Sequence, residues 1–157
     1  MFNILFVCTG NTCRSPMAEA LLRDELTMNK LPYEVEVASA GLLAFPGENI
    51  SEEVIKLLGE RGITGLERRR SVPLDHTMVN EADLILVMTE DHLKQLVTSF
   101  PRASGKTFQI ASYTRYGPGL DIQDPLGGGT EKYQQVLKEI SGCLQNLILM
   151  LKEDKSR

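Results

Sequence analysis

The 157-residue sequence predicts one α/β domain, a parallel sheet covered by helices on both faces. Three observations predict it. Short runs rich in aliphatic and β-branched residues alternate along the chain with amphipathic stretches of helical period. Two of those runs, Ile4–Val7 and Leu84–Met88, are continuously apolar, as strands buried on both faces are. No repeat, low-complexity tract or linker divides the chain, and its length suits a single domain spanning 1–157.

Asn3–Val7 is the first expected strand, stopped by a polar, Gly-containing turn. Pro16 then opens a helix with Ser15 before it as N-cap, and Met17, Ala20, Leu21 and Leu22 give it an apolar face to about Asn29. Tyr33–Ser39 alternates as a second strand, and Gly41–Asn49 is a loop. Ser51 caps a second helix carrying Val54, Leu57 and Leu58, which Gly62 ends. Residues 73–82 form a short helix, and Asp83–Met88 is the clearest buried strand. Thr89 caps a helix over Glu90–Ser99, and Lys106–Ile110 is the fourth strand. Ala111–Gly129 reads as loop, with Pro118 and Pro125. Thr130–Lys152 is a long terminal helix with Tyr133, Val136, Leu137, Ile140, Leu144, Leu147 and Leu151 facing inward.

Composition narrows the function. Apolar residues make up 42% and charged residues 24%, an ordinary globular balance. Lys and Arg number 17 against 21 Asp and Glu, a net charge of −4 without long-range attraction to nucleic acid or anionic membrane. The start carries no basic residues, its apolar run is too short for a signal peptide, and no segment is long enough to span a membrane. Three cysteines are too few, and odd in number, for a secreted disulfide framework. A cytoplasmic domain is expected, by default a monomer, with neither nucleic acid nor membrane as partner.

In open α/β sheets the ligand crevice lies beyond the carboxyl ends of the strands. Cys8-Thr9-Gly10-Asn11-Thr12-Cys13-Arg14-Ser15 occupies that place after the first strand and leads into a helix N-terminus, where backbone N–H groups and the helix dipole favour an anion. Cys8 and Arg14 have the spacing Cys-x5-Arg. A loop wrapping a tetrahedral anion sets the sulfur beneath the central atom and the guanidinium fork beside two oxygens. The bare spacing is a weak signal. Its position between a buried strand and a helix, with Gly10 permitting a tight turn, strengthens it.

Cys8-Thr-Gly-Asn-Thr-Cys-Arg14-Ser15-Pro16-Met-Ala-Glu resembles the signature loop of the low-molecular-weight protein tyrosine phosphatases. The likeness extends to Ser39-Ala40, Ala82–Thr89 and Asp124-Pro125. It implies a flavodoxin-like four-stranded parallel sheet in the order 2-1-3-4. It also implies phosphorylated proteins as substrates, no metal and no cofactor. By this resemblance Cys8 attacks phosphorus and forms a phosphocysteine, Arg14 clamps the phosphoryl group, and Asp124 is the general acid. Thr9, Gly10, Asn11, Thr12 and Cys13 line the phosphate, Ser15 donates to the sulfur, and Asn11 and Ser39 hold the loop from behind. A free cysteine is only a few per cent thiolate at pH 7, so the loop has to stabilise the anion. Asp121 is a second carboxylate in the same late loop as Asp124.

Thr12 bears on the substrate. Tyrosine-directed members usually carry an aliphatic β-branched residue there, whereas a threonine hydroxyl can accept an N–H from a guanidinium leaving group. In this respect the loop resembles the bacterial protein-arginine phosphatase branch, and phosphoarginine is favoured over phosphotyrosine. Leu126 stands where the family usually has an aromatic residue after Asp-Pro; Phe45, Tyr113 and Tyr116 lie in loops that could supply a wall. Arsenate reduction needs further relay cysteines, and Cys143 on the terminal helix reads as core. A non-catalytic phosphate-binding module would dispense with Cys8 or Asp124. A Cys8–Cys13 disulfide would make a redox switch. His76 and His92 have no metal-ligand spacing and read as structural or surface residues, and Arg68-Arg69-Arg70 reads as a solvated loop.

Overall fold

The computed structural model describes residues 1–31 and 34–155. In chain order the main elements are β1 (Phe2–Cys8), α1 (Arg14–Met28), β2 (Val35–Gly41), α2 (Glu52–Glu60), α3 (His76–Glu81), β3 (Leu84–Val87), α4 (Glu90–Ser99), β4 (Thr107–Gln109), α5 (Ile110–Tyr113) and α6 (Gly129–Lys155). The strands form one parallel sheet in the order β2-β1-β3-β4, as expected. The period of two along β1 divides the core. Ile4, Phe6 and Cys8 face a layer of α1, α2 and α6, and Leu5 and Val7 face α3 and α4. The chain reverses direction across the sheet at β1, so a crevice opens beyond the carboxyl end of that strand.

Several boundaries move for local reasons. The second strand runs on to Gly41, while Tyr33 lies outside the described residues. Lys106 belongs to a 3-10 turn over Pro101–Lys106, which leaves β4 three residues long. The expected loop from Ala111 begins instead with α5, because Gln109 Oε1 accepts the Ser112 N–H at 2.6 Å and caps one turn of helix. Thr89 caps α4 as predicted, its Oγ1 accepting the His92 N–H. Ser51 occupies the N-cap position of α2 but makes no cap hydrogen bond. Past the other end of α2, Gly62 at φ +82 donates to Gly59 O, and Ile63 donates to Leu58 O. That paired closure leaves the left-handed residue to a glycine.

Candidate active site

The loop from Cys8 to Arg14 closes over the end of β1. Its tight turn belongs to Asn11, at φ +55, and not to Gly10 as the sequence suggested. A Cβ on Gly10 would come no nearer than 3.8 Å to Thr12 Oγ1. The glycine this site requires is Gly41, across the ladder from Cys8. A Cβ there would lie 2.6 Å from Thr9 O and 3.0 Å from Asn11 N, both backbone atoms of the loop.

Asn11 is fully buried and every polar hydrogen and both oxygen lone pairs of its amide are used. Its Nδ2 donates to Ser15 Oγ at 2.9 Å and Ser39 Oγ at 3.0 Å. Its Oδ1 accepts from Val72 N at 2.8 Å and from Arg69 Nη2 at 3.4 Å. A non-glycine residue keeps a left-handed backbone only where the surroundings over-determine it, and these contacts do so.

Ser15 is not the N-cap of α1. The helix begins two residues earlier than expected, at Arg14, with Cys13 in the cap position and no side-chain cap hydrogen bond there. Ser15 sits inside the first turn with its Oγ 2.8 Å from Cys8 Sγ. The first turn holds no acidic residue either, so its N–H groups and the positive end of the helix dipole are open to an anion from outside. The Arg14 side chain is 6% exposed, and Nη1 donates to Ile122 O at 2.9 Å, which braces the guanidinium from behind.

Asp124 stands at the opposite rim, half-exposed, its Oδ2 3.9 Å from Arg14 Nη2. Its Oδ1 accepts the Leu126 N–H at 3.1 Å, an Asx turn that holds the carboxylate over the mouth. Asp121 is committed elsewhere, its Oδ1 accepting the Glu90 N–H at 2.8 Å at the start of α4. The structure thereby separates two carboxylates that the sequence left together.

A cavity of about 240 Å³ is lined by Cys8 to Arg14, Asp124, Leu126, Ser51 and Tyr133. Thr12 Oγ1 has no partner among the described residues, while its carbonyl accepts the Ser51 N–H at 2.9 Å. None of the three expected aromatic candidates lines this cavity. Phe45 is exposed, Tyr113 packs against Phe108, and Tyr116 lies against Gly142 of α6. The ring comes from Tyr133, which its helical period placed simply in the core, and its Oη lies 3.4 Å from Ser51 Oγ. One face of a helix can meet both a core and a cleft, and periodicity does not distinguish them.

Of the two alternatives expected for His92, structural or surface, the structure shows the first. It is buried, and Nε2 lies 2.9 Å from Thr9 Oγ1. Burial, reinforced by the Arg14 guanidinium, lowers its pKa to about 4, so it is neutral around pH 7. Cys13 is a free thiol that burial, helped by the negative charges of Cys8 and Asp124, pushes up to about 12. It presents no ready thiolate. Cys143 is fully buried in the core. Among the described residues no cluster of His, Cys, Asp and Glu could hold a metal ion.

Residues 3–157 match the family described as low molecular weight phosphotyrosine protein phosphatase. A protein-arginine-phosphatase of Bacillus subtilis is 37% identical over 153 residues, 98% of this chain and 99% of that protein. A low molecular weight protein-tyrosine-phosphatase, PtpB, of Staphylococcus epidermidis is 35% identical over 137 residues, 87% of this chain and 90% of that one. A solved cysteine-to-serine mutant of the YwlE arginine phosphatase, with a phosphorylated active-site serine, superposes with a TM-score of 0.91 at 37% identity, covering 99% of each chain. The sheet order, the strand–loop–helix at Cys8 and these likenesses agree: the chain belongs to the low molecular weight phosphotyrosine protein phosphatase family.

Proposed function

We propose that the protein is a cysteine-dependent phosphatase that removes phosphate from arginine side chains of proteins, acting as a cytoplasmic monomer without metal. The observation that carries the arginine reading is the unpartnered Thr12 hydroxyl in the same cavity as the Asp124 carboxylate. A guanidinium brings N–H donors that both groups can accept, and a phenyl ring brings none. The phosphorylated serine of the YwlE mutant supports a covalent intermediate at the position of Cys8.

The chemistry follows from the groups around the cavity. Loop N–H groups, the end of α1 and Arg14 bind the phosphoryl oxygens. Cys8 Sγ attacks phosphorus, so an S–P bond forms as the P–N bond breaks. Free guanidine is strongly basic, so the departing nitrogen needs a proton, which Asp124 gives from the rim. The Ser15 hydroxyl, 2.8 Å from the sulfur, stabilises it as attacking thiolate and again as leaving group. Asp124 then takes a proton from the water that attacks phosphorus, and inorganic phosphate leaves with Cys8 regenerated.

The phosphotyrosine reading comes second, favoured by Tyr133, whose ring offers an aromatic ligand a wall. Hydrolysis of a phosphoarginine protein and a phosphotyrosine peptide, by wild type and Thr12→Ile in parallel, tests the choice. The arginine reading expects phosphoarginine to be preferred and the preference to fall by tenfold or more in the variant, the scale of one lost hydrogen bond to a charged group. Equal or faster phosphotyrosine turnover by the wild type would overturn it.

A further inference from the structure

The run Arg68-Arg69-Arg70 does not behave as one solvated segment. Arg68 and Arg70 are exposed, but the side chain of Arg69 turns inward and is 22% exposed. Its Nη2 lies 2.9 Å from Ser39 Oγ, 3.1 Å from Glu19 Oε1, 3.2 Å from Ser39 O and 3.4 Å from Asn11 Oδ1. Glu19 is itself a buried carboxylate on α1, and its other oxygen lies 2.6 Å from Arg23 Nη1. A charge this deep is retained only with partners, so the Glu19–Arg69 pair is an anchor rather than a surface contact.

The protons in this cluster run in one direction. Ser39 Oγ gives its only proton to Glu19 Oε1 at 2.6 Å, so toward Asn11 and Arg69 it can only accept. The Val72 N–H fixes the oxygen end of the Asn11 amide, which leaves Nδ2 facing the two serine hydroxyls. Ser15 Oγ therefore accepts from Asn11 and keeps one proton to place. Its two acceptors are Cys8 Sγ at 2.8 Å and Ala40 O at 3.5 Å. When the sulfur is a thiolate, the nearer and charged acceptor takes that proton.

We propose that Arg69 is a positioning residue for the phosphate loop: by holding Glu19, Ser39 and Asn11 in this register it directs the Ser15 proton to the Cys8 sulfur. It touches neither phosphate nor sulfur. Without it, Ser39 Oγ loses a donor that limits its rotation, Asn11 loses a restraint on its left-handed backbone, and Ser15 is no longer held to one arrangement. The inference rests on the reading of Cys8 as nucleophile.

The test uses Arg69→Met, which keeps the apolar stem, and Arg69→Lys, which restores a charge. Two rates are read at pH 7: turnover of an aryl phosphate, separated into kcat and KM, and alkylation of Cys8 by iodoacetamide. Burial pushes Cys13 to about 12 and Cys143 to about 11, so Cys8 dominates alkylation, and Cys8→Ser supplies the background. Arg69→Met is expected to lower kcat and the alkylation rate together by about tenfold, with KM changed far less and Arg69→Lys recovering part of both. In a Ser15→Ala background the same substitution is expected to add no further loss, since its route to the sulfur is already removed. Unchanged rates in Arg69→Met, or losses that add in full to those of Ser15→Ala, would overturn the inference. If Arg69→Met does not fold, the cycle of Arg69→Lys with Ser15→Ala decides by the same criterion. Turnover surviving in Cys8→Ser would instead refute the nucleophile reading itself.

Discussion

Adding one methyl group at Gly41 should disable the site while leaving most of the fold standing. In Gly41→Ala the new carbon would lie 2.6 Å from Thr9 O, 2.8 Å from Ala44 Cβ and 3.0 Å from Asn11 N. Ordinary contact begins near 3.4 Å, so the Thr9 carbonyl must retreat by about 0.8 Å. Gly41 cannot yield instead, because its N–H donates to Val72 O at 2.9 Å and its carbonyl accepts from Leu74 N at 2.9 Å. The displacement therefore falls on the loop between Cys8 and Arg14. Overpacking of this kind costs about 1–3 kcal/mol of stability. A misplacement approaching 1 Å in a catalytic array costs about 100-fold in rate. Aryl phosphate turnover and urea unfolding, measured on the same preparation, separate the two effects. Gly59→Ala is the control, because nothing lies within 4 Å of a Cβ there and the position is on the exposed face of α2, where alanine should be neutral or stabilising by up to about 1 kcal/mol. Wild-type turnover in a folded Gly41→Ala protein would refute the account of how β2 shapes the phosphate loop.

Two further outcomes follow from the same geometry. Asp124→Asn keeps the side-chain oxygen that accepts the Leu126 N–H but removes the acid, so turnover of phosphoarginine should fall by about 10²–10⁴, and turnover of a nitrophenyl phosphate, whose leaving group needs little protonation, should fall less; equal losses on both substrates would rule Asp124 out as the proton donor. His92 stays neutral in the folded protein down to about pH 4 but takes up a proton near pH 6.5 when unfolded, so the unfolded state binds more protons between those values and stability must decline as pH falls from about 6.5 to 4, by up to about 3 kcal/mol. Urea unfolding at pH 7.5 and 4.5 reads this, and His92→Gln should flatten the difference if His92 is its source.

The parallel sheet was legible because buried strands leave continuous apolar runs, and Leu84–Val87 is buried at every position. The strand–loop–helix of the candidate site was legible because Cys8, Arg14 and Ser15 are close in sequence and stand between a buried strand and a helix start. The features that escaped share a different origin. Tyr133 reaches the cavity from α6, more than a hundred residues beyond the loop, and its apolar helical spacing gives it the appearance of core. Gly41 matters through a close approach to backbone across the sheet, which no local pattern records. Arg69 lies between two exposed arginines, and nothing in a basic run tells which member turns toward a buried carboxylate. The expectation that Ser15 caps α1 failed because its local signature, a serine before a proline, is the same whether the hydroxyl serves the helix or the sulfur.

That last case explains a contrast among the helices. α3 and α4 begin with side chains that accept from their first turns, Asp75 from Met78 N and Thr89 from His92 N, and α4 also carries Glu90 and Asp91 there. α1 has neither a capping side chain nor an acidic residue in its first turn. A cap contributes about 1 kcal/mol, and α1 forgoes it where its start lines the cavity. A resident carboxylate or hydroxyl would satisfy the same N–H groups that a phosphoryl group must reach, and would compete with it. The packing of α1 against β1 and α6, with Met17, Ala18 and Leu22 wholly buried, holds the helix in its place. Stability of this helix therefore comes from its apolar face, which frees its N-terminus to bind an anion.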